Sequence, residues 1–165
     1  MAGSTISRRQ LLGILGTVGV GAAVGACGSS VGDDDGGGSG SRGGAVKVGL
    51  VIPQAGVYAP LGTDMKRAWD LWLERNSNKF GDYTVTTITA DEGETPQTGV
   101  PAVQKLLQSD QVDVLVGIVN SSTALGVKDM VAEAKKVLVI SNAGANDITG
   151  AARSPYIWRT SFTNS

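Results

Sequence analysis

The chain alternates short β-branched runs with longer amphipathic stretches. The runs cover residues 46–52, 83–90, 112–119, 137–140 and, more briefly, 156–159. Most of them are apolar at nearly every position, as in strands buried on both sides, and the stretches between them supply covering helices. The pattern predicts an α/β fold, a parallel sheet with helices on both faces, with strand order 2-1-3-4 and right-handed crossovers.

Apolar residues recur at helical spacing after the first and third predicted strands. The first of these helices would bury one face and place Trp69 and Trp72 in the core. The other would begin at Ser121. Its buried face would consist of Ala124, Val127, Met130, Val131 and Ala134.

The second predicted helix has two candidate starts. Thr95 and Pro96 offer a cap residue and a first-turn proline. Pro101 lies further along, where a proline in a helix interior removes a hydrogen bond and clashes with the preceding turn. The helix is therefore expected to begin near Val100.

The composition excludes several classes of function. The chain has no histidine and one cysteine, which removes imidazole acid/base chemistry, Cys/His nucleophile pairs, His/Cys zinc sites and an intrachain disulfide. Residues 45–165 carry eleven Lys and Arg against twelve Asp and Glu, without the basic stripe that a phosphate backbone requires. Carboxylate, lysine and serine chemistry stay open. No metal, cofactor or nucleic acid is expected.

Residues 1–27 have the features of a signal peptide. Arg8 and Arg9 precede an apolar stretch at 11–24 that four glycines interrupt, and a bilayer span needs about 20 apolar residues. The segment SRRQLL at 7–12 resembles the twin-arginine export motif. General secretion and a retained anchor helix are the alternatives.

Cys27 ends that signal and precedes a glycine-rich tract. The segment VGAC at 24–27 resembles a lipobox, which predicts a lipid on Cys27; a small buried core residue is the alternative. Residues 28–44 contain eight glycines and three consecutive aspartates, too little apolar surface to become ordered. They are expected to form a flexible tether before a folded part at 45–165.

The loops at the carboxyl ends of the strands form the expected ligand site. In an open parallel sheet, ligands bind where the strand order reverses, which here lies between the first and third strands. The loops concerned are 54–62, 117–123 and 141–146. The first lacks both G-x-G-x-x-G and a Walker lysine motif, so a nucleotide-binding enzyme is not indicated.

Polar groups cluster in the second of these loops. Asn120, Ser121, Ser122 and Thr123 would place hydroxyls and free backbone N–H groups at a helix N-terminus, which attracts a carboxylate or another anion. The alternative is that Ser121 only caps its helix. Tyr58, in the first loop, would either pack on the loop edge or stack on a ligand.

Four stretches resemble the leucine/isoleucine/valine-binding family of ABC-importer solute receptors, which have the type I periplasmic-binding fold. They are VKVGLVIPQAGVYAPLGTDMKRAWDLW, ADEGETPQ, QKLLQSDQVDVLVGIVNSST and VLVISNAGANDITGAARSPYIWRTSFTNS, in that order. The likeness runs from about 46 to 165. It implies two lobes joined by hinge strands, with this chain as an incomplete lobe one.

The resemblance also implies a function. Such a receptor is exported, is held by its lipid at the outer face of the cell membrane, traps a small solute between its lobes and delivers it to an ABC-transporter permease. The expected solute is an amino acid or a related small polar molecule, and no enzymatic activity is expected. The alternative is the ligand-binding module of an extracytoplasmic sensor.

The same resemblance assigns roles to single residues. Ser121 falls where a family serine holds the ligand carboxylate, and Ala143 where a backbone group contacts the ligand. Ala145 falls where amino-acid receptors usually present a threonine hydroxyl, and Leu61 where an aromatic residue often stands. These departures weaken the case for a branched-chain amino acid and leave another amino acid, an amide or an aromatic acid. The missing polar contact would come from one of two asparagines, Asn120 or Asn142.

Overall fold

Strands and helices alternate along the chain as predicted. The structure, a computed structural model, describes residues 43–164; Arg8, Arg9, Cys27 and tether residues 28–42 lie outside the described part. The elements are β1 (Ala45–Ile52), α1 (Ala59–Arg75), β2 (Lys79–Phe80), β3 (Tyr83–Asp91), α2 (Pro96–Gln108), β4 (Val114–Gly117), α3 (Ser121–Gly126), α4 (Lys128–Glu133), β5 (Val137–Ile140), a 3-10 turn (Asn146–Ile148) and β6 (Ile157–Arg159).

The strands form one sheet in the order β2-β3-β1-β4-β5-β6. β1 pairs in parallel with β3 and β4, and β5 pairs in parallel with β4 and β6. The predicted order 2-1-3-4 is confirmed, because it corresponds to β3-β1-β4-β5. The unpredicted element is β2, a two-residue edge strand antiparallel to β3. The strand order reverses between β1 and β4, where the sequence places the switch point.

One face of the sheet carries a closed core. Alternate residues of β1, β4 and β5 point to this face, which α2, α3 and α4 cover. Its buried side chains include Val51, Leu106, Leu115, Val131 and Leu138. Burying a Val or Leu side chain stabilises a fold by roughly 1.5–3 kcal/mol, so this face fixes the sheet against the three helices.

The other face of the sheet is only partly covered. Between α1 and the strands lies an open cavity of about 700 Å³, whose lining is apolar except for Ser141. Trp69 and Trp72 line it. Trp69 is half-buried and donates its Nε1–H to Thr87 Oγ1 at 2.9 Å, whereas Trp72 is 39% exposed. The expected core position is wrong for Trp72, because no further element of residues 43–164 covers the gap beside α1.

The start of α2 differs from its prediction. The helix begins at Pro96, four residues before Val100. Proline has no N–H, so Pro101 cannot donate to the carbonyl of Gln97 one turn earlier. Both residues are exposed. Water can satisfy that carbonyl in the first turn, so the cost of an interior proline is reduced.

Two further predicted bounds differ after β3. The third predicted strand spans 114–117 rather than 112–119, because Gly117 and Ile118 turn out of the extended conformation with φ of 128° and 66°. The predicted helix after Ser121 is divided into α3 and α4 at Val127, whose ψ of −6° departs from helical geometry. Ala134 directly follows α4 and is exposed rather than buried.

Candidate functional site

Three loops gather at the carboxyl edge of the sheet. Because β1, β4 and β5 are parallel neighbours, the residues that follow them emerge on the same side. Backbone hydrogen bonds hold the loop after β4 on both sides: the Ile118 N–H donates to the carbonyl of Val51, near the end of β1, at 2.9 Å, and the Ala143 N–H of the loop after β5 donates to the Ile118 carbonyl at 3.0 Å. The loop after β4 is therefore held between β1 and the loop after β5.

Ser121 joins the loop after β4 to the loop after β5. Its Oγ accepts a hydrogen bond from the Ala145 N–H at 3.1 Å, and the residue is half-buried at the start of α3. That bond uses an oxygen lone pair, so the hydroxyl hydrogen stays available for a second partner. Two residues that the sequence assigns to one site are thus in direct contact.

Asn120 is the cap of α3. Its Oδ1 accepts the N–H groups of Ser122 at 2.8 Å and Thr123 at 3.2 Å, and its Nδ2 donates to the Glu94 carbonyl at 2.8 Å. The alternative that Ser121 caps this helix is therefore wrong. The expected free N–H groups of Ser122 and Thr123 are also occupied, because an N-cap oxygen reaches these positions first. The serine hydroxyls remain as the polar groups of this loop.

The other predicted residues differ in accessibility. Ser122 is exposed and Ala145 is half-buried, whereas Ala143 is buried with its N–H already donated to Ile118. Tyr58 is half-buried and immediately precedes α1. The structure therefore brings together the predicted residues of the second and third loops, and places Tyr58 on the separate loop between β1 and α1.

Glu92, which sequence reasoning misses, lies directly behind the Asn120 loop. It is 0% exposed, and its two carboxylate oxygens accept the Val119 N–H at 2.8 Å and the Asn120 N–H at 2.6 Å. Burial raises the pKa of this carboxyl above its ordinary range, and the neighbouring Asp91 charge raises it further; the two N–H donors only partly offset this. The available signal was an acid immediately after a strand, at the edge where the ligand loops lie.

Arg159 is a second residue that sequence reasoning misses. From the end of β6, its Nη1 donates to the Ala145 carbonyl at 2.8 Å and its Nη2 donates to Thr149 Oγ1 at 2.8 Å. Ala145 is therefore held at both backbone groups, by Ser121 at its N–H and by Arg159 at its carbonyl. The signal was a basic residue that ends the last predicted strand.

The described side chains at this edge of the sheet are polar rather than metal-binding. In the described part of the chain, no group of three or more His, Cys, Asp or Glu side chains is placed to hold a metal ion. No helix among residues 43–164 is long and apolar enough to cross a bilayer. The amide of Asn120 and the nearby backbone N–H groups are engaged within the protein, so the hydroxyls of Ser121 and Ser122 are the groups of these loops that could contact a small polar molecule.

The sheet order and the joined loops define the class of open α/β domains in which ligands bind at the switch point. Residues 45–165 match the model of the periplasmic binding protein family. The chain belongs to this family, and the resemblance to its leucine/isoleucine/valine-binding members is confirmed. A Leu/Ile/Val-binding protein homolog 6 from Brucella abortus is 31% identical over 119 residues, which are 72% of this chain and 30% of that protein.

Solved structures show the same relationship. A solute-binding protein of an ABC transporter from Rhodopseudomonas palustris in complex with benzoate is 36% identical, with a TM-score of 0.69 over 73% of this chain and 33% of that one. A second, from strain HaA2 with p-hydroxybenzoic acid, is 34% identical with a TM-score of 0.67 over 72% and 32%. An ABC-type branched-chain amino acid transporter from strain CGA009 is 25% identical, with a TM-score of 0.67 over 72% of this chain and 33% of that one. The predicted fold of a periplasmic-binding lobe is confirmed.

Proposed function

We propose that this chain belongs to the solute-binding protein of an ABC importer and supplies the first of two lobes. The family match and the similarity to solute-binding proteins of ABC transporters support this role. The chain spans 30% of its curated relative from Brucella abortus, so the second lobe and the hinge are part of the proposal. The uncovered apolar face beside α1 also fits a lobe that further segments complete.

The contact between Ser121 and Ala145 carries the proposal. It fixes a serine hydroxyl at the point where the loops after β4 and β5 meet, beside the switch point of the sheet. The Ala145 N–H occupies one lone pair of this oxygen, so the hydroxyl hydrogen is left to donate to a solute. A carboxylate oxygen accepts such a hydrogen bond more strongly than a neutral oxygen does.

The solute proposed for this site is a small carboxylic acid, either an aromatic acid or an amino acid. The exposed Ser122 hydroxyl lies next to Ser121 and would provide a second donor, with Asn120, Ala143 and Ala145 shaping the pocket around it. Tyr58, on the facing loop, would stack on an aromatic or apolar part of the solute. Relatives with benzoate and p-hydroxybenzoic acid bound support the aromatic acids as the first probes.

The export signal and the anchor complete the proposed function. Arg8 and Arg9 would direct twin-arginine export, Cys27 would carry the lipid, and residues 28–44 would let the receptor move beside the membrane. The proposed partner is the permease of the ABC transporter, which takes up the solute. The proposed role needs no cofactor, metal or catalytic residue.

A thermal-shift screen tests this function. The protein purified from its host membrane is mixed with benzoate, 4-hydroxybenzoate, leucine and glutamine, with adenosine as a probe that lacks a carboxylate. A bound solute at 100 times its Kd should add about 2.7 kcal/mol to the free energy of unfolding. The expected result is stabilisation by one carboxylic acid and none by adenosine. Stabilisation by adenosine alone, or by none of the acids, would contradict the proposal.

A further inference from the structure

Three acidic residues, the last residue of β3 and two that follow it, lie in residues 91–94, which we term the acidic loop. Each accepts a backbone N–H from a neighbouring loop. Asp91 Oδ1 accepts the Gln54 N–H at 2.8 Å, and Glu94 Oε1 accepts the Val57 N–H at 2.5 Å. Glu92 accepts its two N–H groups from the loop after β4. The acidic loop therefore contacts both loops that border the switch point.

The contact with the loop between β1 and α1 is close. Gly56 has a φ of 75°, and a Cβ at this position would overlap the carboxylate of Glu94. Only glycine gives this backbone shape without a side chain in the way. The loop that carries Tyr58 is thus packed directly against the acidic loop.

Burying the side chain of Glu92 is unfavourable for the free energy of folding. None of the ion pairs among residues 43–164 includes it, and burying an unpaired carboxylate is strongly unfavourable. Stability alone would favour a neutral side chain. What the carboxylate provides is two acceptor oxygens for two successive N–H groups, which no neutral side chain of similar size offers.

The backbone that Glu92 holds follows a strained residue. Ile118 has a φ of 66°, a left-handed conformation that a β-branched residue rarely adopts. Such a conformation persists only where the surroundings enforce it. The hydrogen bonds to Glu92 come from Val119 and Asn120, the two residues between Ile118 and Ser121.

We propose that Glu92 is a positioning residue, whose carboxylate fixes the backbone at Val119 and Asn120 and thereby sets the position of the Ser121 hydroxyl. Asp91 and Glu94 hold the facing loop, so the acidic loop fixes the separation between the two sides of the site. The role of Ser121 toward solute rests on the proposed function. The hydrogen bonds by which Glu92 holds the backbone of Val119 and Asn120 do not depend on it.

Amide hydrogen exchange of the full chain tests the hold on the backbone. In Glu92→Gln one oxygen is replaced by an NH₂ group, so the Val119 or the Asn120 N–H loses its acceptor. Exchange at one or both of these amides should accelerate by at least about tenfold, as the loss of a buried hydrogen bond implies. The core amides of Val131 and Leu138 should exchange at the wild-type rate. Glu133→Gln, which removes an exposed carboxylate on α4, is the charge-matched control.

Two outcomes of that measurement would overturn the proposal. One is unchanged exchange at both Val119 and Asn120. The other is a parallel acceleration at Val131 and Leu138, which would indicate a general loss of stability. If Glu92→Gln does not fold, Glu92→Asp is the alternative variant. Its side chain keeps both carboxylate oxygens but is shorter by one carbon atom, so hydrogen exchange at Val119 and Asn120 should again be faster.

Solute binding separates this proposal from the proposed function. With benzoate as the probe, Glu92→Gln should weaken binding by about tenfold while Glu133→Gln leaves it unchanged. Faster exchange with unchanged benzoate affinity would overturn the positioning role. If the wild-type protein binds none of the carboxylic acids in the screen, the proposed function fails, and the exchange measurement still decides whether Glu92 holds the loop.

Discussion

The Ala145 N–H donates to Ser121 Oγ at 3.1 Å, although the two residues lie 24 positions apart in the chain. The bond links the loops after β4 and β5 at the edge of the sheet where ligands bind in this class of fold. It also gives Ser121 two separable roles. The oxygen holds the neighbouring loop, and the hydroxyl hydrogen is available to a solute.

Ser121→Ala should therefore impair binding more than folding. Loss of a hydrogen bond to a carboxylate should lower the affinity for a carboxylic acid by about 10- to 100-fold. Loss of the Ala145 contact should cost about 0.5–1.5 kcal/mol of stability. Titration calorimetry and chemical denaturation measure the two effects. Ser122→Ala, at an exposed position, should change stability by less than about 0.5 kcal/mol. Wild-type affinity in Ser121→Ala would contradict the assignment of this serine.

The buried Glu92 should make stability depend on pH in a defined direction. Burial raises the pKa of Glu92 above its ordinary value of 4.5, so above pH 4.5 the unfolded chain loses this proton before the folded chain does. The contribution of Glu92 is then fully present below pH 4.5 and is lost as the pH rises through the folded-state pKa. Glu92→Gln has no such titration. The difference in unfolding free energy, wild type minus variant, should therefore fall between pH 4.5 and 8.

Asp113 has the opposite pKa shift to Glu92, so the effects of the two carboxyls on stability can be told apart by pH. The Lys47 N–H holds the pKa of this carboxyl below its ordinary value of 3.8, and Lys136 adds a favourable charge. Its contribution is therefore present above pH 3.8 and is lost only as the pH falls through the lower folded-state pKa. The two windows do not overlap. Parallel stability curves for the wild type and Glu92→Gln between pH 4.5 and 8 would refute the predicted role of Glu92.

A buried and an exposed leucine should respond differently to the same substitution. Leu115→Ala empties a fully buried position on the closed face and should cost about 2–5 kcal/mol. Leu71→Ala removes a side chain on α1 that is 48% exposed, so it should cost less than about 1 kcal/mol. Chemical denaturation measures both. Equal losses would contradict the burial of Leu115 in the closed core and the exposure of Leu71 on α1.

The sheet could be predicted from the sequence because alternate residues of a central strand face opposite sides of the sheet, and both sets are apolar here. Val114 and Val116 line the open cavity while Leu115 lies in the closed core. Runs that are apolar on both sides therefore identify central parallel strands. The expected strand order 2-1-3-4 then placed the switch point, and with it the edge at which Ser121 and Ala145 meet.

The hydrogen-bond partners at that edge could not be predicted, since they depend on local backbone angles. Asn120 and Ser121 are both common cap residues, and only the backbone of the folded loop shows that Asn120 occupies the cap position. In the sequence Glu92 looks like a solvated acid beside Asp91. Its burial follows only from the packing of the loops after β3 and β4 on one another.

The predicted lipid on Cys27 has a direct test. Cys27→Ala should leave an unprocessed precursor without the lipid, because the thioether bond requires the cysteine sulfur. Metabolic labelling with a radioactive fatty acid, followed by membrane fractionation of the host cells, measures the effect. Ser30→Ala in the neighbouring tether is the control and should be labelled and anchored like the wild type. Normal anchoring of Cys27→Ala would exclude the lipobox.

Gly117, at the end of β4 before the loop that leads to Ser121, should tolerate no side chain. It has a φ of 128°, and a Cβ at this position would overlap the Val51 carbonyl of the neighbouring strand. Gly117→Ala must therefore separate β1 from β4 or rearrange the loop that leads to Ser121. Gly81→Ala is the matched control, since Gly81 also has a positive φ, 59°, but a Cβ there meets nothing within 4 Å. Gly81→Ala should lose only about 1–2 kcal/mol of stability, which is what a left-handed backbone costs a residue with a Cβ. Gly117→Ala should lose clearly more stability and should abolish solute binding. Chemical denaturation and a thermal shift with benzoate measure the pair, and similar losses in both variants would show that the close approach of β4 to β1 does not shape the site.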